Sequence, residues 1–134
     1  MIRRRLFPLA GAVLIVGVAF LVRAVAGGPL EQYAGTALYA SLVYAGVFVL
    51  RPGAHPITAG ASAVLFCWLV EFFQLTGIPA RFPAAHLILG ARFDATDVVW
   101  YPVGVVPLVV AHLAVRARRG SGGGRGSPAA RPPG

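Results

Sequence analysis

The residues best suited to chemistry lie together in one window of the sequence, between positions 71 and 97. Three of the four acidic residues fall inside it, together with two arginines, a glutamine and a histidine. Carboxylates beside guanidinium groups can bind a ligand, exchange a proton or act as general acid and base. We expect one polar cluster, binding a ligand or stabilising the fold, made of Glu71, Gln74, Arg81, Arg92, Asp94, Asp97 and Tyr101.

Glu71 has a functional and a structural interpretation. It lies three residues before Gln74, so the two side chains share one face of a predicted helix. A carboxylate in a membrane helix costs about 3 kcal/mol near the bilayer centre, and it therefore usually has a partner or a task. Glu71 is either a proton carrier or ligand contact, or it locks two helices together through Arg81 or Arg92.

The two aspartates and two arginines also have two interpretations each. Asp94 precedes the last apolar stretch and can cap the first turn of a helix. Asp97 lies one turn further along and shares a polar strip with Tyr101, so a functional role is equally open. Arg81 and Arg92 can clamp a phosphate or carboxylate. Alternatively, they extend to the membrane interface and pair with the nearby acids.

Metal, cofactor and catalytic signatures are missing from the sequence. His86 has no second histidine at a metal-ligand spacing, and Cys67 is the only cysteine, so we expect no metal and no cofactor. We interpret Cys67 as a small buried hydrophobic residue. No nucleophile elbow, phosphate loop or HExxH helix is present, so motifs give catalysis no support.

The elements that must position the polar cluster are membrane-spanning helices. Hydrophobic residues make up 57% of the 134 residues and charged residues 12%, about half the charged share of a typical soluble domain. Four apolar stretches approach the length of about 20 residues that crosses a bilayer; they cover 6–26, 33–50, 57–76 and 95–115. The predicted fold class is an all-α membrane protein with a four-helix transmembrane bundle. We expect close helix packing at Gly11, Gly17, Gly35, Gly46 and Gly60.

Two further segments complete the predicted organisation. The connection 77–93 is apolar yet interrupted by Pro79, Pro83 and Gly90. We expect it to lie in the outer interface or to re-enter the bundle between the third and fourth helices. Residues 116–134 are rich in Gly, Pro, Ser and Arg, and we predict a disordered, basic cytoplasmic tail after a transmembrane domain that covers 1–115.

The arginines predict the orientation in the membrane. All twelve basic residues are arginine, and the net charge is +8. Nine lie at the two ends of the chain or in the gap after the second stretch, and only Arg23, Arg81 and Arg92 lie on the other side. The positive-inside rule therefore places both chain ends in the cytoplasm. The apolar start also fits a cleaved signal peptide ending at Ala24-Val25-Ala26, although its apolar part is longer than the usual 7–15 residues.

The polar window resembles two known families. The residues that carry the resemblance are Glu71-Phe72-Phe73-Gln74, Arg81, Leu89-Gly90, Phe93-Asp94, Asp97 and Tyr101-x-x-Gly104. They are similar to VanZ-like proteins and, more closely, to a family of small bacterial membrane proteins classed as a domain of unknown function. Tyr101 stands where VanZ-like proteins usually have Asn, which favours the second family. The resemblance implies a membrane fold of four to five helices and marks the polar cluster, but it implies no reaction.

Several classes of function remain open for a multi-pass protein of a bacterial inner membrane. The first is a non-enzymatic cell-envelope protein whose outward-facing cluster binds an anionic lipid-linked or peptide ligand. The second is a small proton-coupled transporter, which would have to be a homo-oligomer, and the third is a structural or accessory subunit. An enzyme acting on lipid intermediates is also compatible with paired acids at an interface. Membrane lipids are expected partners, whereas nucleic acid is not, because no basic stripe with interleaved aromatics occurs.

Overall fold

The computed structural model describes residues 2–89 and 92–122, and every regular element in these ranges is a helix. In chain order the helices are α1 Ile2–Val25, α2 Pro29–Leu50, α3 Pro56–Gln74, α4 Ile78–Arg81, α5 Pro83–Leu89 and α6 Ala95–Ser121. Four of them, α1, α2, α3 and α6, are long and apolar enough to cross a membrane. The predicted all-α fold with four spanning helices is confirmed.

The helix boundaries follow local signals in the sequence. Proline occupies the first turn of α2 and of α3, where its missing N–H removes no helical hydrogen bond. Gly28, directly before α2, has φ 63°, a conformation that glycine adopts at little cost. At its far end α6 continues to Ser121 instead of ending at 115, because the added residues are mostly Ala and Arg, which favour helix. The rest of the predicted tail, with Arg125 and Arg131, lies outside the described residues.

The core lies where α2, α3 and α6 meet. Ala40, Ala59, Ala63 and Cys67 are fully buried, and Val105 is 1% exposed. Small side chains at these positions let the helix axes approach each other closely. In a bilayer the resulting van der Waals contact is the main attraction between helices, because lipid removes much of the hydrophobic driving force.

Glycine permits the closest helix approaches, but only at some of the predicted positions. A Cβ on Gly60 would lie 2.6 Å from Cγ2 of Val109, which confirms close packing there. A Cβ on Gly104 would overlap the backbone carbonyl of Ala37, so α2 and α6 touch through their main chains. The prediction of close packing is wrong for four positions, where a Cβ would meet no other atom within 4 Å: Gly11, Gly17, Gly35 and Gly46.

Helix α1 is the most weakly integrated of the spanning helices. Among the described helices it packs closely against α2 alone. None of its side chains is buried, and large apolar ones such as Phe7 and Phe20 are 83% and 71% exposed. A helix with this surface needs lipid around most of its circumference.

The charged residues divide between the two ends of the bundle. All four acidic residues lie where α1 and α3 end and α2 and α6 begin, and we name this the acidic end. The opposite, arginine-rich end carries Arg3, Arg4, Arg5, Arg51, Arg116, Arg118 and Arg119. At the arginine-rich end the Tyr44 hydroxyl lies 3.1 Å from Nδ1 of His112, which joins α2 to α6.

The connection between α3 and α6 is folded into the short helices α4 and α5. Both pack against α3 at the acidic end. Gly77, with φ 68°, turns the chain out of α3, and Pro79 in α4 is fully buried. Within the segment, the N–H of Phe82 donates to the carbonyl of Pro79 and the N–H of His86 donates to that of Phe82, the kind of internal bond that backbone in or near lipid requires. Its predicted place, in the outer interface or re-entering the bundle, stays a prediction, and Gly90 lies outside the described residues.

Trp68 satisfies a carbonyl group that Pro102 leaves without its helical donor. Pro102 lies inside α6 and has no N–H, so the carbonyl of Val98, four residues earlier, has no partner in its own helix. The indole N–H of Trp68 donates to this carbonyl at 2.9 Å and thereby joins α3 to α6.

We expect Trp68→Phe to lower the free energy of unfolding by about 1 to 2 kcal/mol, because the Val98 carbonyl loses its donor. Pro102→Ala supplies a helical N–H for the same carbonyl, so Trp68→Phe should cost less in that background. Unfolding of the four variants in detergent measures both costs. Equal costs in the two backgrounds would show that Trp68 does not serve the carbonyl left by Pro102.

Candidate polar binding site

Glu71 is the most deeply buried polar side chain among the described residues, with 1% of its surface exposed. Its Oε1 accepts a hydrogen bond from the backbone N–H of Asp94 at 2.6 Å. Its Oε2 accepts one from the hydroxyl of Tyr101 at 2.7 Å. Both bonds run from α3 to the start of α6, so the carboxylate fixes how these helices meet. In the described residues its partners are an amide and a phenol, and neither Arg81 nor Arg92 forms an ion pair with it.

Asp94 is both the N-cap of α6 and a bridge to two other helices. Its Oδ1 accepts from the N–H of Thr96 at 2.8 Å, which confirms the predicted cap. Its Oδ2 accepts from Nε2 of Gln32 at 2.6 Å, which reaches α2. The N–H of Thr96, with the amide of Gln32, holds the pKa of the Asp94 carboxyl below its ordinary value. Asp94 is therefore a carboxylate at neutral pH.

Asp97 joins α6 to α2 through Thr36. The Thr36 hydroxyl lies 2.8 Å from Oδ1 of Asp97 and 3.0 Å from the backbone carbonyl of Gln32. One hydroxyl carries one hydrogen, so it donates to only one of these acceptors at a time. The Asp97 carboxylate therefore keeps acceptor capacity for another donor.

A polar cavity of about 460 Å³ opens at the acidic end. Four of the seven predicted cluster residues line it: Gln74, Arg92, Asp97 and Tyr101. Glu71 and Asp94 lie behind this lining and hold Tyr101 and Gln32 by the hydrogen bonds given above. Arg81 is exposed on α4 and is not part of the lining. The predicted cluster thus divides into lining residues, supporting residues and one arginine that lies apart.

Five polar lining residues were not part of the predicted cluster: Arg23, Glu31, Gln32, Thr36 and Tyr39. They come from the end of α1 and the first half of α2. Gln32, Thr36 and Tyr39 follow one another by four and three residues, a spacing that places them on one helix face. This polar stripe on an otherwise apolar helix is the sequence pattern that predicts these three lining residues.

The charges in the polar cavity are balanced but not paired. Arg23 and Arg92 supply two guanidinium groups to its lining, and Glu31 and Asp97 supply two carboxylates. In residues 2–89 and 92–122 neither arginine forms an ion pair. An arginine without a carboxylate partner offers a planar fork of donors that suits a phosphate or carboxylate. The carboxylates offer acceptors for hydroxyl or ammonium groups.

An apolar groove between α1 and α2 adjoins the polar cavity. It has a volume of about 530 Å³, and its apolar walls include Ile15, Val16, Phe20, Leu38 and Leu42. The groove and the cavity share a rim of lining residues, which are Arg23, Glu31, Gly35 and Tyr39. The two spaces therefore meet at this rim, which we name the junction.

The remaining candidate residues lie away from these spaces. His86 is exposed on α5, and Cys67 is buried in the core. Within the described ranges, no three His, Cys, Asp or Glu side chains lie close enough to hold a metal ion. The chemistry available in the polar cavity is thus that of guanidinium, carboxylate, amide and hydroxyl groups.

A known family matches the part of the chain that forms most of the polar cavity. The model of a family described as a protein of unknown function, DUF2809, matches residues 25–105. The chain belongs to DUF2809. The predicted resemblance to a family of unknown function is confirmed, and every lining residue of the polar cavity except Arg23 falls inside the DUF2809 region. No curated protein and no solved structure matches the chain.

Proposed function

We propose that this DUF2809 membrane protein binds an anionic ligand in the polar cavity at its acidic end. The observation that carries the proposal is the presence of Arg23 and Arg92 in one cavity without carboxylate partners in the described residues. A phosphate or carboxylate can accept hydrogen bonds from both guanidinium groups. Glu31 and Asp97 are then available to hydroxyl or ammonium groups of the same ligand.

The supporting residues give this site a fixed shape. Glu71 holds the hydroxyl of Tyr101, and Asp94 holds the amide of Gln32. Lining side chains that are held by hydrogen bonds from behind keep their positions when a ligand arrives, which lowers the cost of binding. We therefore assign Glu71 and Asp94 positioning roles.

The alternative functions have less support from this geometry. A transporter in which Glu71 carries a proton needs access to that carboxylate, but both of its oxygens hold donors and it is 1% exposed. A structural subunit accounts for Glu71 and Asp94 and, with Arg23 and Arg92 extended to the membrane interface, gives the polar cavity no role.

We also propose that the protein is a multi-pass protein of the bacterial inner membrane with its acidic end facing outward. The support is the excess of arginines at the other end among the described residues, which the positive-inside rule places in the cytoplasm. A distant relationship to VanZ-like cell-envelope proteins is proposed on Glu71, Gln74, Arg81, Asp97 and Gly104. All of these residues except Gly104 lie at the acidic end.

Calorimetric titration of the full-length protein in detergent tests the proposal. The probe is glycerol phosphate, which carries one phosphate and two hydroxyl groups. We expect Arg23→Gln with Arg92→Gln to weaken binding by about tenfold or more, because charge-assisted hydrogen bonds are lost. Arg81→Gln is the matched control, since Arg81 lies at the same end outside the cavity. No binding by the wild type, or equal binding by the wild type and the double variant, would refute the proposal.

A further inference from the structure

We infer that the ligand of the polar cavity is an anionic lipid and that the groove between α1 and α2 holds one of its acyl chains. This inference rests on the proposed anion binding and adds the chemical class of the ligand. Nothing in the polar cavity alone distinguishes a lipid headgroup from a soluble anion. The distinction comes from the space that adjoins it.

The junction makes one continuous site out of two chemically different spaces. Arg23, Glu31, Gly35 and Tyr39 line both. On one side of them are guanidinium, carboxylate and amide groups, and on the other side the walls are aliphatic and aromatic. A molecule that fills both spaces must carry an anionic head and a hydrocarbon tail. A soluble metabolite without an apolar part would fill only the polar part.

The length of the groove matches one leaflet of a bilayer. It extends from Ile15 to Arg23 on α1 and from Glu31 to Leu42 on α2. At the helical rise per residue these spans are about 12 Å and about 16 Å. Half of the hydrocarbon core of a bilayer is about 15 Å thick. The groove therefore accepts an acyl chain of the same leaflet whose headgroups lie level with the acidic end.

The position of α1 lets the chain enter sideways from the membrane. Val16 and Phe20 on the groove wall are exposed, and no side chain of α1 is buried. The groove therefore lies on the lipid-facing surface of the bundle, where acyl chains are the solvent. A lipid can move into it without passing through water, while its headgroup slides into the polar cavity.

Gly35 is a position at the junction where a larger side chain would obstruct the connection between the groove and the polar cavity. A Cβ at Gly35 would meet no other atom within 4 Å, so a larger side chain fits beside the junction. Gly46 lies on the same helix and has equally open surroundings, but it lines neither the groove nor the polar cavity. Gly35→Leu and Gly46→Leu are thus a matched pair with the same change in size and helix propensity.

The test compares two probes that share a headgroup and differ by one acyl chain. Full-length wild type, Gly35→Leu and Gly46→Leu in the same detergent are titrated with glycerol phosphate and with oleoyl lysophosphatidic acid. We expect the wild type to bind the lipid about tenfold or more tightly than glycerol phosphate, because the acyl chain adds van der Waals contacts with the groove walls. Gly35→Leu should bring the ratio of the two affinities close to one, whereas Gly46→Leu should keep the affinities of the wild type for both probes.

The outcomes separate this inference from the proposed function. Equal wild-type affinity for the two probes, or the same ratio of lipid to glycerol phosphate affinity in Gly35→Leu as in Gly46→Leu, would overturn the acyl-chain assignment and leave anion binding in place. The ligand would then be a soluble or peptide anion. Failure of the wild type to bind either probe would refute both proposals. Both proposals are supported if Gly35→Leu removes the preference for the lipid, Gly46→Leu keeps it, and the Arg23→Gln, Arg92→Gln variant loses affinity for both probes.

Discussion

Replacing Gly104 by alanine should lower the free energy of unfolding by about 3 kcal/mol. The new Cβ would overlap the carbonyl oxygen of Ala37 and lie 2.6 Å from the carbonyl carbon of the same residue. These are backbone atoms of α2, so they cannot rotate aside as a side chain can, and α2 and α6 must move apart. The separation also moves the Gly104 carbonyl away from the Ser41 hydroxyl, which lies 2.8 Å from it and 2.9 Å from the Ala37 carbonyl and donates to one of the two at a time.

Unfolding of purified variants in detergent, followed by the loss of helical signal, measures this cost. Gly46→Ala is the control, because its Cβ would meet no atom within 4 Å and alanine favours helix over glycine by about 0.5 to 1 kcal/mol. Gly60→Ala should be intermediate, since its Cβ would meet the movable side chain of Val109. A Gly104→Ala variant as stable as Gly46→Ala would mean that the two backbones do not touch.

Removing the carboxylate of Glu71 should cost a similar amount. Glu71→Leu leaves the Asp94 N–H and the Tyr101 hydroxyl without their acceptor, and Tyr101 is only 4% exposed. Each unsatisfied donor costs about 1 to 3 kcal/mol, so we expect a total loss of about 3 kcal/mol. Glu71→Gln keeps the shape and can accept from Asp94 while donating to the Tyr101 oxygen. It should therefore lose only about 1 kcal/mol.

A double-mutant cycle with Tyr101→Phe isolates the bond between these two side chains. In the wild type, Tyr101→Phe removes the hydrogen bond to Glu71, whereas in Glu71→Leu that bond is already gone. The cost of Tyr101→Phe should therefore be about 1 to 2 kcal/mol smaller in the Glu71→Leu background. Tyr33→Phe is the control, because the Tyr33 ring stacks on Trp100 with centroids 5.1 Å apart. Its cost in free energy of unfolding should be the same in the wild type and in Glu71→Leu. If Tyr101→Phe also cost the same in both backgrounds, the result would contradict a direct hydrogen bond between Tyr101 and Glu71.

The spanning helices and part of the site were predictable because the signals for them are local. A window of about 20 apolar residues decides whether a segment can cross a bilayer, whatever it packs against. The third stretch was predicted at 57–76 and α3 is Pro56–Gln74. The meeting of Glu71 with Asp94 also followed from connectivity, because consecutive antiparallel helices bring the end of one close to the start of the next.

The rest of the site depends on how the helices are rotated and paired, which no local pattern encodes. Gln32 contacts Asp94, and Thr36 contacts Asp97, across more than sixty positions of sequence. These contacts require one particular face of α2 to meet α6. The partners of Glu71 were equally hidden. A backbone N–H is offered by almost every residue type, so sequence inspection favoured the conspicuous arginines over the amide of Asp94.

Helix α1 places one wall of the binding site outside the part of the protein that determines its stability. It lines the groove and the polar cavity, yet it buries no side chain, and the DUF2809 match begins only at residue 25. Mutations at Val16 or Phe20 are therefore expected to change the groove at little cost in folding, whereas mutations at Gly104 or Glu71 are expected to destabilise the core. The shape of the groove can therefore be altered along α1 alone, while the core of α2, α3 and α6 keeps its packing.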